Sequence, residues 1–408
     1  MEHMNRIIVI TGQHVWSLGS KKGASSFYHT LKGYTDRGYQ IELITCNSTD
    51  GLDLPGIREH YYNFISLDKL SNIPKIGFGV RIIKSFLFQV YAFLIGLRIN
   101  HERKQNLIYA YEIHGVLAAK LLGKWLGLPV VTRFQGTVMK PLMGKMLWRF
   151  RFWEHWLALR TRANLVIMAN DGTQGDEVLH ALGVPQDSVR FWVNGVDVQP
   201  EKPSKSEIDA IRKKLNFTPD LQILVTVSRL VSWKRLDRII TAMPAIVRQK
   251  PTVRLLVVGD GDGRADYENL ARNLKIEEYV IFSGAISHGD VVKYMSLADI
   301  FVSLYDLSNV GNPLLEAMTL GKCIVTLNNG GTSSIIKHDI NGVLLNPEEL
   351  DRLPDVIITL LDDQTRRNRL GEAAQINARN SFWTWADRMK REISEVENLF
   401  GKRCDIGL

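Results

Sequence analysis

Short apolar runs rich in β-branched residues recur along the 408-residue chain, separated by longer stretches with helical spacing. Runs of this kind, with few polar interruptions, are the pattern of strands buried on both faces of a parallel sheet. In the first half the strands predicted are Ile7–Thr11, Ile41–Thr45, Leu107–Tyr111, Pro129–Arg133, Leu165–Met168 and Val189–Val193. Helices are predicted between them over Ala24–Arg37, Phe78–Arg103, Val116–Leu126, Lys140–Arg162 and Gly175–Leu182. The second half repeats the pattern with Gln222–Val227, Val253–Val258, Val280–Ser283, Ile300–Leu304, Cys323–Leu327 and Gly342–Leu345, and a helix is predicted after each strand but the last. Such alternation calls for right-handed crossovers and sheets covered on both faces. The expectation is an α/β chain of two doubly wound, Rossmann-like domains over residues 1–198 and 199–382, with the cleft between them as the working site. Gln199–Ser206, a Pro- and Lys-rich stretch, is the predicted linker, and the last helix, 383–400, is expected to lean back on the first domain.

Composition then excludes several classes. Apolar residues make up 45% of the chain and the charge is mixed, so disorder, collagen and acidic-tail readings fail. Cys46, Cys323 and Cys404 lie far apart with no CxxC spacing, which writes neither a disulfide framework nor a cysteine zinc site and makes a reducing cytoplasm the expectation. The apolar core at Ile7–Ile10 is shorter than the roughly 7 to 15 residues of a signal peptide. Ser85–Leu97 is largely apolar but short of the roughly 20 residues of a membrane span, and reads as a buried or half-buried helix, with a surface that touches lipid as the alternative.

Charge adds one feature. The formal +8 is concentrated between Arg81 and Arg162, where fourteen Lys or Arg face three acids; the rest of the chain carries a net −3. Within this region Lys140–Arg162 interleaves Lys145, Arg149, Arg151, Arg160 and Arg162 with Met143, Leu147, Trp148, Phe150, Phe152, Trp153 and Trp156. A helix of this composition can press its aromatics to the lipid boundary while its bases meet anionic headgroups. The alternative is a core helix with a solvated basic face. No RNA or DNA motif accompanies the charge, so nucleic acid is not an expected partner.

Ligands of open parallel sheets bind beyond the carboxyl ends of the strands, which directs attention to the loops there. The first holds Gly19-Ser20-Lys21-Lys22-Gly23-Ala24-Ser25 ahead of a helix, where glycines let backbone amides approach an anion. After the first strand of the second half comes Ser228-Arg229-Leu230-Val231-Ser232-Trp233-Lys234-Arg235, whose Arg229 and Lys234 can converge on a diphosphate. Gly259-Asp260-Gly261-Asp262-Gly263 offers an Asp-x-Asp that reads either as a Mg or Mn site or as a tight glycine turn. There is no His pair at metal spacing and no Ser/His/Asp arrangement.

The most specific stretch is Tyr305-Asp306-Leu307-Ser308-Asn309-Val310-Gly311-Asn312-Pro313-Leu314-Leu315-Glu316-Ala317-Met318, at a strand end leading into a helix. With Gly19–Ser25, Asn194-Gly195-Val196-Asp197, Ser228-Arg229-Leu230 with Lys234, Val258-Gly259-Asp260-Gly261, Ala298-Asp299-Ile300-Phe301-Val302 and Gly330-Gly331, it makes the chain resemble, in order over about 350 residues, a family-4 retaining glycosyltransferase of the GT-B fold. The resemblance implies that Arg229 and Lys234 hold the donor diphosphate, that Glu316 binds the ribose hydroxyls of the nucleotide, and that Gly23 lets its loop approach phosphate or acceptor. It also implies a nucleotide-diphosphate sugar as substrate, no metal or other cofactor, and a leaving phosphate that itself takes the acceptor proton.

Two departures stand out. Where the family usually has a second glutamate, eight positions before Glu316, this chain has Ser308; where it usually has a histidine after the fifth strand, in a Thr-x-His-Gly-like turn, this chain has Gln135 within Thr132-Arg133-Phe134-Gln135-Gly136. Gln135 still donates and accepts hydrogen bonds but carries no charge. Ser308, Asn309 and Asn312 are the neutral set expected to meet sugar hydroxyls next to Gly311, and Asp306 is the alternative carboxylate. The activity expected is hexosyl transfer to a hydroxyl of a lipid-linked or membrane-proximal glycan during cell-surface polysaccharide synthesis, on the inner face of the cytoplasmic membrane with an anionic lipid surface as a partner. A nucleotide-sugar epimerase of the same architecture, a phosphorylase and a non-catalytic nucleotide-sugar binder are the alternatives.

Overall fold

The computed structural model describes residues 5–12, 25–46, 54–62 and 77–404. Its thirteen strands are β1 (Arg6–Thr11), β2 (Gln40–Thr45), β3 (Ile57–Tyr61), β4 (Leu107–Tyr111), β5 (Val130–Phe134), β6 (Leu165–Ala169), β7 (Val189–Trp192), β8 (Gln222–Val227), β9 (Val253–Val258), β10 (Val280–Gly284), β11 (Ile300–Ser303), β12 (Cys323–Leu327) and β13 (Val343–Leu345). They form two sheets, ordered β3-β2-β1-β4-β5-β6-β7 and β10-β9-β8-β11-β12-β13, with every ladder between named strands parallel.

The inner strands are buried on both faces because their apolar runs feed two cores by alternation. In the first sheet Ile7, Val9, Leu107 and Tyr109 face one core, with Phe27 and Leu31 of helix Ser25–Asp36 and Met389, Ile393 and Val396 of helix Trp385–Cys404. Ile8, Ile10, Ile108 and Ala110 face the other, covered by Phe88 and Ala92 of helix Gly77–Glu102 and by Leu122 of helix Val116–Leu126. The second sheet repeats the scheme, with Leu224, Leu255 and Val302 on one side and Ile223, Leu256 and Phe301 on the other. Each sheet is therefore doubly wound. One unit comprises Met1–Asn170, Gln174–Trp192 and Ala386–Leu408, and the other comprises Asp171–Thr173 and Val193–Trp385.

Three elements differ from the sequence expectation. Strand β3, Ile-Arg-Glu-His-Tyr, pairs only with β2 and carries three consecutive polar residues between Ile57 and Tyr61, the composition of an edge strand rather than of a buried run. After β13 the chain continues through a 3-10 stretch Pro347–Arg352 into helices Leu353–Asp362 and Gln364–Ser381, where no helix was expected. Lys140–Arg162 is not one helix. It is a single turn at Lys140–Leu142, a four-residue turn at Trp148–Arg151 and a helix at Trp153–Arg160, with Leu147 left-handed at φ 60° and Gly144 at φ 94° between them. Its tryptophans Trp148, Trp153 and Trp156 are half-buried, and the apolar side chains that reach solvent are Met146, Leu147 and Phe150.

A buried ionic cluster fastens the last helix within the first unit. Arg133 and Arg388 each donate from Nη1 to Glu392 Oε2 at 3.0 Å, and Tyr109 Oη donates to Glu392 Oε1 at 2.7 Å. Arg133 also donates to Thr30 Oγ1 at 2.7 Å, and the Arg388 guanidinium lies 4.6 Å from the Trp192 ring centroid. Burial acts to raise the Glu392 carboxyl, and Arg133 and Arg388 outweigh it, holding the group below the usual glutamate range.

Candidate active site

The order of the second sheet reverses between β8 and β11, and a topological switch point of this kind opens a crevice where two loops part at the carboxyl ends of adjacent strands. The loop after β8 runs through Ser228–Val231 into a single turn, Ser232–Lys234, and reaches helix Leu236–Gln249 through a left-handed Arg235 at φ 47°. The loop after β11 runs from Leu304 to Gly311 and enters helix Asn312–Thr319. The two loops are stitched together: the Asp306 amide donates to the Trp233 carbonyl at 3.0 Å, and Lys234 Nζ donates to the Ser308 carbonyl at 3.2 Å.

Lys234 is held over the ring of Tyr305, its Nζ 4.1 Å from the centroid. Tyr305 is buried and donates its hydroxyl to the Val227 carbonyl at 2.9 Å, so the platform is anchored to the end of β8. Burial lowers the Lys234 ammonium to about 8, Asp171 acts to raise it, and Arg229 lowers it further. Arg229 is exposed and stacks its guanidinium 5.6 Å from the Trp233 ring centroid. Two cations thus share one loop at the strand ends, with one of them drawn into a partly desolvated setting that strengthens any anion contact it makes.

The Asp-x-Asp stretch resolves as a turn. Gly259, at φ +132°, lies where a Cβ would stand 2.0 Å from the Ser228 carbonyl oxygen, and the Leu230 amide donates to the Asp260 carbonyl at 2.9 Å. The glycine is needed because two backbones meet there, and the contact props the Arg229 loop from behind. The Asp260 carboxylate is spent on its neighbour's amide, Gly261 N at 2.8 Å, and on Arg264 at 3.1 Å.

The site residues expected in the β11 loop divide by direction. Asn309 is turned inward: its Oδ1 accepts from the Tyr305 amide at 3.1 Å, and its Nδ2 donates to the Tyr305 carbonyl at 2.7 Å and to Asn329. It is fully buried and serves as a clamp on the loop, which corrects the expectation that its side chain meets a sugar. Asp306 is engaged with Arg235 at 3.1 Å and with Arg238 at 2.6 Å. Asn312 opens its helix beside Gly311, and its Oδ1 accepts from Asn194 Nδ2 at 3.3 Å. Glu316 lies on the next turn of the same helix, and burial pushes its carboxyl up to about 8.

Sequence reasoning missed Asp171. It belongs to the second unit through Asp171–Thr173, is buried, accepts from the Thr173 amide at 3.1 Å and the Thr173 hydroxyl at 2.6 Å, and is hydrogen-bonded by the Ser308 side chain. Its carbonyl accepts from the Val310 amide at 2.9 Å, and a Cβ on Gly330 (φ +56°) would stand 1.9 Å from the Gly172 carbonyl oxygen. The Gly330-Gly331 motif therefore makes room for this segment. Asn170-Asp171-Gly172 is a turn sequence, the one signal that could have singled it out.

The remaining expected site residues, Gln135 and Gly23, belong to the first unit by sequence. Gln135 follows β5 in the first unit, its amide donating to Glu112 Oε1 at 2.7 Å. Glu112 is buried, has φ 62° and was also missed. Gly23, with Gly19–Ala24, lies outside the described residues. Among the described residues no group of three or more His, Cys, Asp or Glu side chains is clustered as metal ligands would be.

Arg229 and Lys234 thus lie in a loop at the switch point, with Glu316 one turn into the helix that follows the neighbouring loop. Residues 207–376 match the family described as Glycosyl transferases group 1. That segment of the chain is similar to a glycosyltransferase group 1 domain. Arg229, Lys234, the β11 loop and Glu316 all fall inside it. Over 200 residues the chain is 30% identical to a GDP-mannose-dependent monoacylated alpha-(1-6)-phosphatidylinositol monomannoside mannosyltransferase of Corynebacterium glutamicum, covering 47% of this chain and 51% of that one. It is 26% identical over 221 residues to an N-acetyl-alpha-D-glucosaminyl L-malate synthase of Bacillus anthracis, covering 54% and 55%. The chain spans about half the length of the curated relatives it matches.

Among solved structures, Anabaena HepE in complex with UDP and glucose matches with a TM-score of 0.73 and 22% identity over 97% of this chain and 100% of that one. Sucrose-phosphate synthase of Thermosynechococcus elongatus matches at 0.76 and 18%, over 98% and 100%. The fold is GT-B.

Proposed function

We propose that the protein is a retaining, metal-independent glycosyltransferase that moves a hexosyl group from a nucleotide-diphosphate sugar to a hydroxyl of a lipid-linked or membrane-proximal glycan. The observation that carries this reading is the meeting of the Arg229/Lys234 loop with the Ser308–Glu316 segment at the β8/β11 switch point, within the segment similar to a group 1 domain. In this reading Arg229 and Lys234 stabilise the negative charge that grows on the departing diphosphate, an electrostatic term that is largest where water is excluded. Glu316 accepts from the ribose hydroxyls once ionised, and Asn312 and Ser308 offer neutral groups to the sugar. In this reading no metal is used; Asp260 of the Asp-x-Asp turn is already committed to Arg264. The mannosyltransferase relative named above uses GDP-mannose, and the HepE structure holds UDP, so both donors belong in the test.

The test is product analysis. Uridine, guanosine and adenosine diphosphates and their hexose conjugates are screened by thermal shift, and the conjugate that stabilises the protein is incubated with glycolipid acceptors in EDTA. Release of the nucleoside diphosphate together with an axial or equatorial linkage matching the donor anomer supports the reading. An epimerised donor without diphosphate release, or turnover abolished by EDTA and restored by Mg or Mn, overturns it.

The membrane-proximal part rests on the surface of the first unit. Helix Gly77–Glu102 presents Ile83, Phe86, Val90 and Leu94 to solvent at helical spacing, while Phe88 and Ala92 face the core. Over Gly79–Glu102 it is long and apolar enough to cross a membrane by length and composition. A groove of about 380 Å³ joins its N-terminal end, at Arg81 and Ile82, to Arg151, Trp153 and His155. Trp125 (74% exposed), Met146 (89%) and Phe150 (78%) add apolar bulk to the same unit, and Lys145, Arg149 and Arg151 are exposed beside the latter two. This combination fits peripheral binding to the anionic cytoplasmic leaflet. Co-sedimentation with vesicles containing anionic lipid should exceed that with neutral vesicles and fall with salt; equal recovery on both would remove the membrane from the reading.

A further inference from the structure

Lys234 stands between the two loops of the site, and the groups around it come, among the described residues, from three segments. From its own loop comes Arg229, a like charge that acts against its protonation. From the β11 loop come the Ser308 carbonyl, which accepts its hydrogen bond, and the face of Tyr305, whose phenol burial holds at about 12 and therefore neutral. From Asp171–Thr173 comes Asp171, the carboxylate whose charge favours the ammonium. Ser308 ties the last two together, since its carbonyl takes the Lys234 ammonium and its side chain hydrogen-bonds Asp171.

The Asp171 carboxylate is not a surface charge that happens to be near. It is buried, two contacts from Thr173 fix its orientation, and the Val310 amide locks its backbone to the β11 loop. Burying a carboxylate is costly unless its charge is used. Burial raises this group, and its hydrogen bonds from Thr173 and Ser308 together with the charge of Lys234 work against that rise.

We propose that Asp171 is a positioning residue of the donor site: it keeps Lys234 charged and, through Ser308, aimed at the donor diphosphate. Asp171 does this from outside the β8 and β11 loops, so the cation that meets the phosphate is tuned by a segment lying beyond residues 207–376. The proposal rests on the nucleotide-sugar reading above. It adds that the alkaline limit of diphosphate binding is set by the Asp171–Lys234 couple.

The experiment is calorimetric titration between pH 6 and 9.5, using whichever of uridine, guanosine or adenosine diphosphate binds the wild-type protein. Wild-type affinity should fall as the pH rises through about 8. In Asp171→Asn the fall should begin about one pH unit lower, since loss of a nearby opposite charge moves an ammonium by roughly one unit or more. Asp171→Glu, which returns the charge, should restore the wild-type limb. Should Asn at this position prevent folding, Asp171→Ser keeps an acceptor for the Thr173 amide without the charge and takes its place.

Glu316 also titrates near 8, so Lys234→Ala and Glu316→Gln are run beside these. The limb should vanish in the first and persist in the second. A limb unmoved in Asp171→Asn, or one that survives Lys234→Ala, overturns the proposal while leaving the nucleotide reading intact. Absence of any diphosphate binding by the wild type at all pH values overturns both.

Discussion

Two sets of cations are drawn into the protein, one in each unit, and they do different things. In the first unit Arg133 and Arg388 converge on one carboxylate, Glu392, with Tyr109, Thr30 and the Trp192 ring closing the remaining directions; Arg133 and Glu392 are both 0% exposed. In the second unit Lys234 has a carbonyl and a ring as its contacts, Asp171 is the carboxylate whose charge favours it, and Arg229 stands exposed beside it, so one carboxylate faces two cations and a net positive charge is left over. The lesson is that burial of charge alone does not mark a binding site. A charge enclosed with its counter-charge holds elements together, whereas a cation held on a platform, near an open loop, is available to a ligand.

The largest effect is expected at Glu392. Replacing it by Gln leaves two buried guanidinium groups with no anion, and loss of one partner of a buried pair costs about 3–5 kcal/mol. Denaturant unfolding of Glu392→Gln should show a loss of that size. Because the Glu392 carboxyl sits below the ordinary glutamate range in the fold, its stabilising effect is present above that range and is lost as pH falls into the acid region. Wild type and variant should therefore converge in stability at low pH. A variant as stable as wild type at pH 7 would show that the cluster contributes nothing net.

Lys234→Ala should behave oppositely. It removes a charge-assisted contact worth about 1.5–3 kcal/mol from the diphosphate complex, a loss near tenfold or more in affinity, with little change in unfolding midpoint. Arg229→Ala should fall in the same range but respond more to salt, because the side chain is exposed. Calorimetry finding unchanged affinity in both variants would remove the loop from the site.

The smallest effect is expected at Glu316. Its carboxyl is raised from the ordinary range to about 8, so the folded state binds its proton more tightly than the unfolded chain does. The stability this brings is complete below about pH 4.3 and is lost as pH rises through about 8. Melting of the ligand-free protein between pH 6 and 9 should therefore decline less in Glu316→Gln than in wild type, by about 2–4 °C for each kcal/mol involved. Parallel declines would mean that the carboxyl is not burdened by burial and is already ionised before a nucleotide arrives.

Much of this molecule was legible in its residues. Twelve of the thirteen described strands follow from short apolar runs, and the loops that carry Arg229, Lys234 and Ser308–Glu316 follow from where those strands end. The exception, β3, is an edge strand whose charged residues hide its pairing. Pro141 and Gly144 were a readable warning that Lys140–Arg162 would not stay helical, but the basic and aromatic composition suggested one long helix instead.

What the residues alone determined, then, was the layering: apolar side chains at strand spacing have one way to leave water in an alternating α/β chain, and that is a parallel sheet covered on both faces. What only the tertiary structure decided was the partner of each polar group. Asn309 and Asn312 are three residues apart in one loop, yet one is consumed by Tyr305 and the other opens a helix toward Asn194. Asp171 reaches Ser308 across 137 positions of chain, and Arg133 reaches Glu392 across 259. Hydrophobic burial is non-directional and reads from local pattern, while hydrogen bonds and ion pairs require angstrom-scale placement of atoms that are distant in sequence and meet only when the sheets have formed.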